Sequence, residues 1–415
     1  MPRERIDADQ AFFTERKSMR ASGRRRSLRR ARALALHLGI DLNTWQAHPE
    51  RVVTVVGSKG KGTAAIFASA TLAAAGLRVG TLTSPGLRSN RERIRVDGEA
   101  ISHHEYVALV SGVTQTLERV SASLPEDGYL SPSGLFTLSG LRHFAERGCD
   151  AVVLEAGMGG ASDEVSLVTP GVVVITAVLA EHVGVLGESV AAIAAEKAGV
   201  ITSATRDVVT AEQGDPGAAG AIAAAATAHA CRSHRADAAL AVGAPGLGEA
   251  NARLGVTAAR LLLDLAGRSA PPAAALDAAL QSVRIPGRLS RHRRGDQEWI
   301  VDCATNPAAI AAAIGHTTSA MGPPTAVLTF LPRHRDTRPL RDALRGLPVV
   351  EVPSGRLGGA TGPGAAIRME AIDLDALGSR VLAVGPVYFA GEVLALLDVD
   401  CDRIFRAPGR ETPGR

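Results

Sequence analysis

The segment Gly57-Ser58-Lys59-Gly60-Lys61-Gly62-Thr63 places three glycines and two lysines within seven residues. Glycines let a backbone curl until successive N–H groups face an anion, and a helix starting just beyond adds its positive end. Gly57, Ser58, Lys59, Gly60 and Gly62 would form such a cradle. Lys61 would reach the β- and γ-phosphates, and the Thr63 hydroxyl would hold Mg²⁺. That chemistry is ATP binding. The strict pattern G-x-x-x-x-G-K-[ST] is not met, because Gly62 separates Lys61 from Thr63. Ordinary turn chemistry is the competing reading of an isolated glycine-rich stretch. Here a β-branched run, Arg51–Val56, precedes the loop and an alanine-rich run, Thr63–Ala75, follows it, which favours the phosphate.

Glu155 closes the apolar run Asp150–Leu154, so its carboxylate should emerge at the carboxyl edge of a sheet, where α/β ligand sites lie. There it could bind Mg²⁺, which prefers oxygen donors, or close a salt bridge. His182 follows a second apolar run and reads as a ligand or as a satisfied polar group. Lys197 sits in the last turn of a predicted helix, where a cation gains about 0.3–1 kcal/mol from the macrodipole. Arginine would serve that purpose equally well. Of 46 basic residues only Lys17, Lys59, Lys61 and Lys197 are lysine, leaving 42 arginines. A lysine kept in such a chain is a candidate for a position that a guanidinium cannot fill.

These residues need elements to hold them. Arg51–Val56, Thr63–Ala75 and Arg78–Thr83 read as strand, helix and strand, a βαβ unit that implies a parallel sheet. Asp150–Leu154 and Gly171–Ala177 are further buried strands. Val190–Ala198 is a helix closed by Gly199, and Asn251–Ala266 is another. Residues 214–250 are rich in Ala and Gly and show no pattern. Arg268–Pro286 carries Pro271, Pro272 and Pro286 and reads as a domain boundary. Beyond it strands are predicted at Trp299–Asp302, Thr325–Phe330, Leu347–Val352 and Arg380–Val384. Helices are predicted at Ala308–Ile314, Arg338–Leu344 and Tyr388–Leu397. The expected organisation is an ATP-binding domain over 1–283 and a smaller α/β domain over 284–415.

With 46% hydrophobic and 21% charged residues, the chain has material for a sizeable core and is unlike a disordered one. No apolar run approaches the roughly 18 residues of a membrane span. The first residues lack the apolar segment of a secretory signal. Four cysteines, Cys149, Cys231, Cys303 and Cys401, show no CxxC spacing and fit reduced thiols. A cytoplasmic monomer is expected. Arg20, Arg24, Arg25, Arg26, Arg29, Arg30 and Arg32 make a basic N-terminal arm over 1–32. An anionic-surface patch and a solvated, partly helical arm both fit it. Aromatics make up only 3% of the chain, too few for base stacking, so no nucleic-acid partner is expected.

The ordered motifs resemble the folylpolyglutamate synthase/dihydrofolate synthase branch of the Mur ligase family. That branch carries G-T-N-G-K-G-[ST], T-S-P-H-L, E-R-I-R, L-E-V-G-L-G-G-R-x-D, D-H, E-K-A-G-I, P-G-R and D-G-A-H-N-P in this order. Here Thr83-Ser84-Pro85-Gly86-Leu87, Glu92-Arg93-Ile94-Arg95 and Leu154-Glu155-Ala156-Gly157-Met158-Gly159-Gly160-Ala161-Ser162-Asp163 follow the loop. Glu181-His182, Glu196-Lys197-Ala198-Gly199-Val200, Pro286-Gly287-Arg288 and Asp302-Cys303-Ala304-Thr305-Asn306-Pro307 complete the set. The resemblance implies a P-loop, three-layer ATPase-like domain with a mostly parallel sheet, then a smaller Rossmann-like α/β domain, with ATP between them. It implies transfer of the γ-phosphoryl group to a carboxylate and attack of an amino-acid amine on the acyl phosphate, releasing ADP and phosphate. It implies two Mg²⁺ sites, held by Thr63, Ser84, Glu155, His182 and a carbamate on Lys197. Lys61, Lys197, His182 and Glu155 would be catalytic. Arg288 would contact phosphates and Asp302 the ribose, and Asn251 joins the nucleotide-binding set.

The departures fall on the substrate side. The family histidine of T-S-P-H-L is Gly86, its F-E pair aligns with Ser133-Gly134, and its G-G-R arginine is Ala161. Its A-T-N becomes Glu164-Val165-Ser166, and its A-H-N becomes Ala304-Thr305-Asn306. With no replacement for the lost charge visible nearby in sequence, the expectation is a ligase for a smaller carboxylic acid in a specialised pathway. A folate ligase with a divergent pocket and a non-catalytic ATP-binding relative are the alternatives.

Overall fold

The computed structural model describes residues 11–13, 25–240, 242, 247–331, 336–352, 369 and 372–408. Much of the basic arm, including Arg20 and Arg24, lies outside the described residues. The chain divides into two compact units, one of 1–84, 93–283 and 403–415, the other of 85–92 and 284–402.

The first unit is built on an eight-stranded sheet. Its strands are β1 (Val52–Val56), β2 (Val79–Leu82), β3 (Ile94–Val96), β4 (Glu99–Ala100), β5 (Ala151–Glu155), β6 (Val172–Ile175), β7 (Asp207–Thr210) and β8 (Arg232–His234), in the spatial order β4-β3-β2-β5-β1-β6-β7-β8. From β2 to β8 all neighbours are parallel; β3 and β4 turn back antiparallel at one edge. The runs Val52-Val53-Thr54-Val55-Val56 and Val172-Val173-Val174-Ile175 are buried throughout, as strands covered on both faces must be.

Two adjacent residues of β2 mark the two faces. Thr81 donates its hydroxyl to Ser69 (2.7 Å) on the helix Lys61–Ala74. A Cβ on Gly80 would strike the Phe144 ring, on the helix Pro132–Glu146. The first helix is buried from Thr63 to Ala74 and packs against Leu247–Leu265 and Ala273–Ser282. The second contributes Phe136 and Phe144 to a core shared with Val52, Leu154, Ile175 and Ile193.

Two readings need correction. The stretch 214–250, which showed no pattern, contains the helix Pro216–Ala228, capped by the Asp215 side chain, and strand β8. The proline-marked stretch 268–286 holds the division between the two units, between 283 and 284, and also the helix Ala273–Ser282, because Pro271 and Pro272 fall before its first turn, where proline is tolerated. The described part of the basic arm is not simply solvated. Ser27 caps the helix Leu28–His37, whose Arg30, Ala31, Leu34 and Ala35 are buried, and Arg30 donates to the carbonyls of Leu124 (3.3 Å) and Pro125 (3.0 Å).

The second unit holds β9 (Ser290–Arg294), β10 (Gln297–Asp302), β11 (Ala326–Thr329), β12 (Val349–Glu351) and β13 (Arg380–Val384) in the order β12-β11-β13-β10-β9. Only β9 is antiparallel, and the helices Pro307–Met321 and Val387–Leu396 contribute to its two cores. Among the described residues no helix is long and apolar enough to cross a membrane.

Candidate active site

Because β2, β5, β1 and β6 are parallel neighbours, the loops at their carboxyl ends emerge along one edge. Each of the four loops brings a predicted residue. The loop after β1 is pinned by Ser58, whose N–H donates to the Ala177 carbonyl (3.0 Å) and whose hydroxyl accepts from Leu179 N–H (3.0 Å). Gly57 has φ +134° and a Cβ there would overlap the Thr176 hydroxyl. Gly60 has φ +86° and a Cβ would overlap the Asn251 side-chain amide. Both positions require glycine. The helix starts at Lys61, with no side chain capping its N-terminus at Gly60. Its first turn therefore presents backbone N–H groups suited to an anion. The Lys61 ammonium folds back on the carbonyls of Gly57 (3.2 Å) and Ser58 (3.5 Å), while Lys59 is exposed.

Glu155 ends β5 and is 5% exposed. One of its oxygens, Oε2, accepts from Ser84 N–H (2.8 Å) and lies 3.3 Å from where a Cβ on Gly62 would stand. Ser84 Oγ in turn accepts from the Arg93 guanidinium (2.9 Å), which is itself stacked on the Phe136 ring at 4.7 Å. Glu155 thus lies beside Ser84 and against the loop that carries Thr63. Carboxylate and hydroxyl oxygens are the donors a hard cation takes, so this set fits Mg²⁺.

Lys197 is 1% exposed, and its ammonium donates to the Gly57 carbonyl (2.8 Å) and pairs with Glu181 (3.3 Å). Burial, and then the Lys61 charge, lower its pKa against the pull of Glu181. Neighbouring His182 has φ +53°. Partial desolvation lowers its pKa; Glu181 opposes this, and Lys197, Lys61 and Lys59 add to it. Among the described residues no three His, Cys, Asp or Glu side chains gather as a ready metal cluster. As an ammonium, Lys197 has no lone pair to give a second cation, so His182 and Lys197 fit one only if the amine is modified.

Arg288 and Asp302 lie in the second unit, close enough for the arginine charge to act on the carboxyl. Burial raises the Asp302 pKa, opposed by the Arg288 charge and by the N–H of Leu289 (2.9 Å). Several supporting residues carried no predicted role: Glu181 holds Lys197, Arg93 holds Ser84, and Glu196 accepts from Ser162 N–H (2.9 Å) and Oγ (2.6 Å). Each stands inside or beside a quoted motif, which was the available signal. At Ser133-Gly134, where the resemblance puts an acid, a carboxylate from elsewhere lies close by. The Glu164 carboxyl occupies the space a Cβ on Gly134 would take.

No family model matches the chain. Among curated proteins it is 37% identical over 158 residues to dihydrofolate synthase/folylpolyglutamate synthase of Bacillus subtilis, covering 37% of this chain and 36% of that protein. It is 38% identical over 151 residues to folylpolyglutamate synthase of Lacticaseibacillus casei, covering 36% of this chain and 35% of that one. The matched segment thus spans about a third of either relative. In fold the likeness runs much further. The apo form of the L. casei folylpolyglutamate synthase aligns with TM-score 0.73 at 26% identity, covering 89% of this chain and 95% of that one. The Mycobacterium tuberculosis folylpolyglutamate synthase complexed with ADP aligns with TM-score 0.74 over 96% and 99%, and at 24% identity it speaks for the fold alone. By segmental sequence identity and by fold over nine-tenths of its length, the chain is similar to folylpolyglutamate synthases and to dihydrofolate synthase/folylpolyglutamate synthase.

Proposed function

We propose that the chain is an ATP-dependent, ADP-forming ligase that joins a folate carboxylate to glutamate, acting as a cytoplasmic monomer. The observation that carries this reading is the convergence of Lys61, Ser84, Glu155 and Lys197 on the Gly57–Thr63 loop. The relatives' names support the substrate class, as does a solved folylpolyglutamate synthase complex with AMPPCP and folate, aligned at TM-score 0.72 and 26% identity.

In this reading the loop amides and Lys61 face the phosphates of ATP. A substrate carboxylate oxygen attacks the γ-phosphorus, ADP leaves, and the glutamate amine displaces phosphate from the acyl phosphate, losing its proton to solvent. Positioning and charge neutralisation do most of the work in phosphoryl transfer. Thr63, Ser84 and Glu155 would hold Mg²⁺, which would neutralise phosphate charge. Burial and Lys61 favour the neutral amine of Lys197, the form that reacts with CO₂. The resulting carbamate would give His182 an anionic oxygen partner.

A smaller, non-folate acid is the second reading, favoured by Gly86 and Ala161 where the family carries histidine and arginine. Phosphate release by the purified protein with ATP, glutamate and either dihydropteroate or tetrahydrofolate separates the two. A kcat/KM of about 10⁴ M⁻¹s⁻¹ or above supports the folate reading. Turnover only with other carboxylic acids supports the second, and AMP with pyrophosphate as products would sink both.

A further inference from the structure

Arg26 enters the first unit from the N-terminal segment, which pairs with Tyr129 through Ser27 N–H to Tyr129 O and Tyr129 N–H to Arg25 O (both 3.0 Å). Its side chain, 6% exposed, reaches two fully buried carboxylates, Asp163 at 3.1 Å and Glu164 at 3.5 Å. The same guanidinium donates to the Met158 carbonyl. Asp163 accepts from Met158 N–H (2.9 Å), so both backbone polar groups of that residue are held by one ion pair. Met158 is the third residue after Glu155. At its other end the loop is fastened by Glu196, the residue before Lys197. A single loop is therefore stretched between Arg26 on one side and the neighbour of Lys197 on the other, with Glu155 at its root.

We propose that Arg26 is a positioning residue: seated on the buried Asp163–Glu164 pair, it holds the loop 156–163 and through it the Glu155 carboxylate. The groups facing Glu164 are Asp163 beside it and Arg26 from the N-terminal segment, with Tyr129 next to Arg26. The helix Pro132–Glu146 adds the Ser131 hydroxyl, 2.8 Å from one oxygen and 2.9 Å from the other. Two carboxylates share one guanidinium, so the cluster is balanced when Glu164 carries a proton. Burial and then Asp163 push its pKa from the ordinary 4.5 up to about 7, against Arg26 and Ser131. The hold on the loop is accordingly firm while Glu164 is protonated and loosens as pH rises through about 7.

The test is amide hydrogen exchange of the loop peptides in the full chain, with the helix Pro216–Ala228 as reference and intrinsic pH dependence divided out. Arg26→Ala should lower loop protection by roughly tenfold or more and leave the reference unchanged. Arg26→Lys should restore part of it. Glu164→Gln should keep the protection and abolish its fall between about pH 6 and about pH 8. Unchanged loop protection in Arg26→Ala, an equal loss in the reference helix, or a pH dependence that survives Glu164→Gln would each overturn the proposal. Its consequence for turnover rests on the ligase reading: Arg26→Ala should lower kcat with the KM for ATP little changed. A looser loop with unaltered kcat would deny Arg26 its role. A wild-type protein without ligase activity would refute the ligase reading, while exchange would still decide the loop.

Discussion

The nucleotide edge of the first unit and the cluster around Arg26 and Glu164 lie within one fold but relate to the family in opposite ways. At the proposed nucleotide edge Lys61, Ser84, Glu155, His182 and Lys197 match the motifs by which the sequence resembles the family. In the Arg26 cluster position and charge have separated. The motif resemblance puts an acid at residue 134, where this chain has glycine, and Glu164, from another element, fills the space a side chain there would take. Phosphate recognition depends on backbone direction and on Lys61 at a fixed turn of a helix, so its residues cannot be moved. A buried carboxylate needs only its hydrogen bonds and a counterion, and those can come from any element that reaches the spot.

The comparison breaks most clearly at the loop. Lys61→Ala should lower kcat by about 10²–10³-fold or more with the fold intact, the loss typical of one removed charge-stabilising donor. Circular dichroism and phosphate release read the two halves of that statement. At Lys197 the discriminating variant is arginine. If the amine must carry a carbamate, Lys197→Arg should be as inactive as Lys197→Ala, and an active arginine variant would reduce Lys197 to a cation.

The other side of the comparison shows in stability. Gly134→Ala drives a methyl into the Glu164 carboxyl and should cost about 1–3 kcal/mol in urea unfolding, as overpacking does. Pairing it with Glu164→Ala, which clears the space, should recover part of that loss. The smallest effect separates two helix caps. Ser131 accepts from Gly134 N–H (2.9 Å) and also serves Glu164, whereas exposed Ser189 only caps Ala192 N–H (3.1 Å). Ser131→Ala should cost about 1–2 kcal/mol and Ser189→Ala about 0.5–1 kcal/mol.

The sequence could be read where local chemistry and tertiary role coincide. The β-branched runs of β1, β5, β6 and β13 mark buried parallel strands because such strands have no polar face. Strands β3 and β4 lack that signature because Ile94-Arg95-Val96 and Glu99-Ala100 are short segments with charges on them, β4 at the sheet edge and β3 next to it. The arginine cluster was ambiguous for a related reason. Arg25, Arg29 and Arg32 are exposed, while Arg26 and Arg30 are tied into the fold by partners about a hundred residues away, which composition does not reveal. Lys197 was singled out by its rarity among arginines, but its partner Glu181 looked like any other acid until the fold brought the two together.

The helix Lys61–Ala74 carries a consequence of its own. Twelve consecutive residues of it, Thr63 to Ala74, are buried, and Gly255 lets a second helix lie against the Ala64 carbonyl. A helix so enclosed from Thr63 onward has little room to fray, so the amides of its first turn should be ordered before any nucleotide arrives. Ordering entropy usually charged to a flexible phosphate loop would then be absent at this end. Nucleotide association should be fast and enthalpic, and slow steps would have to come from elsewhere in the molecule.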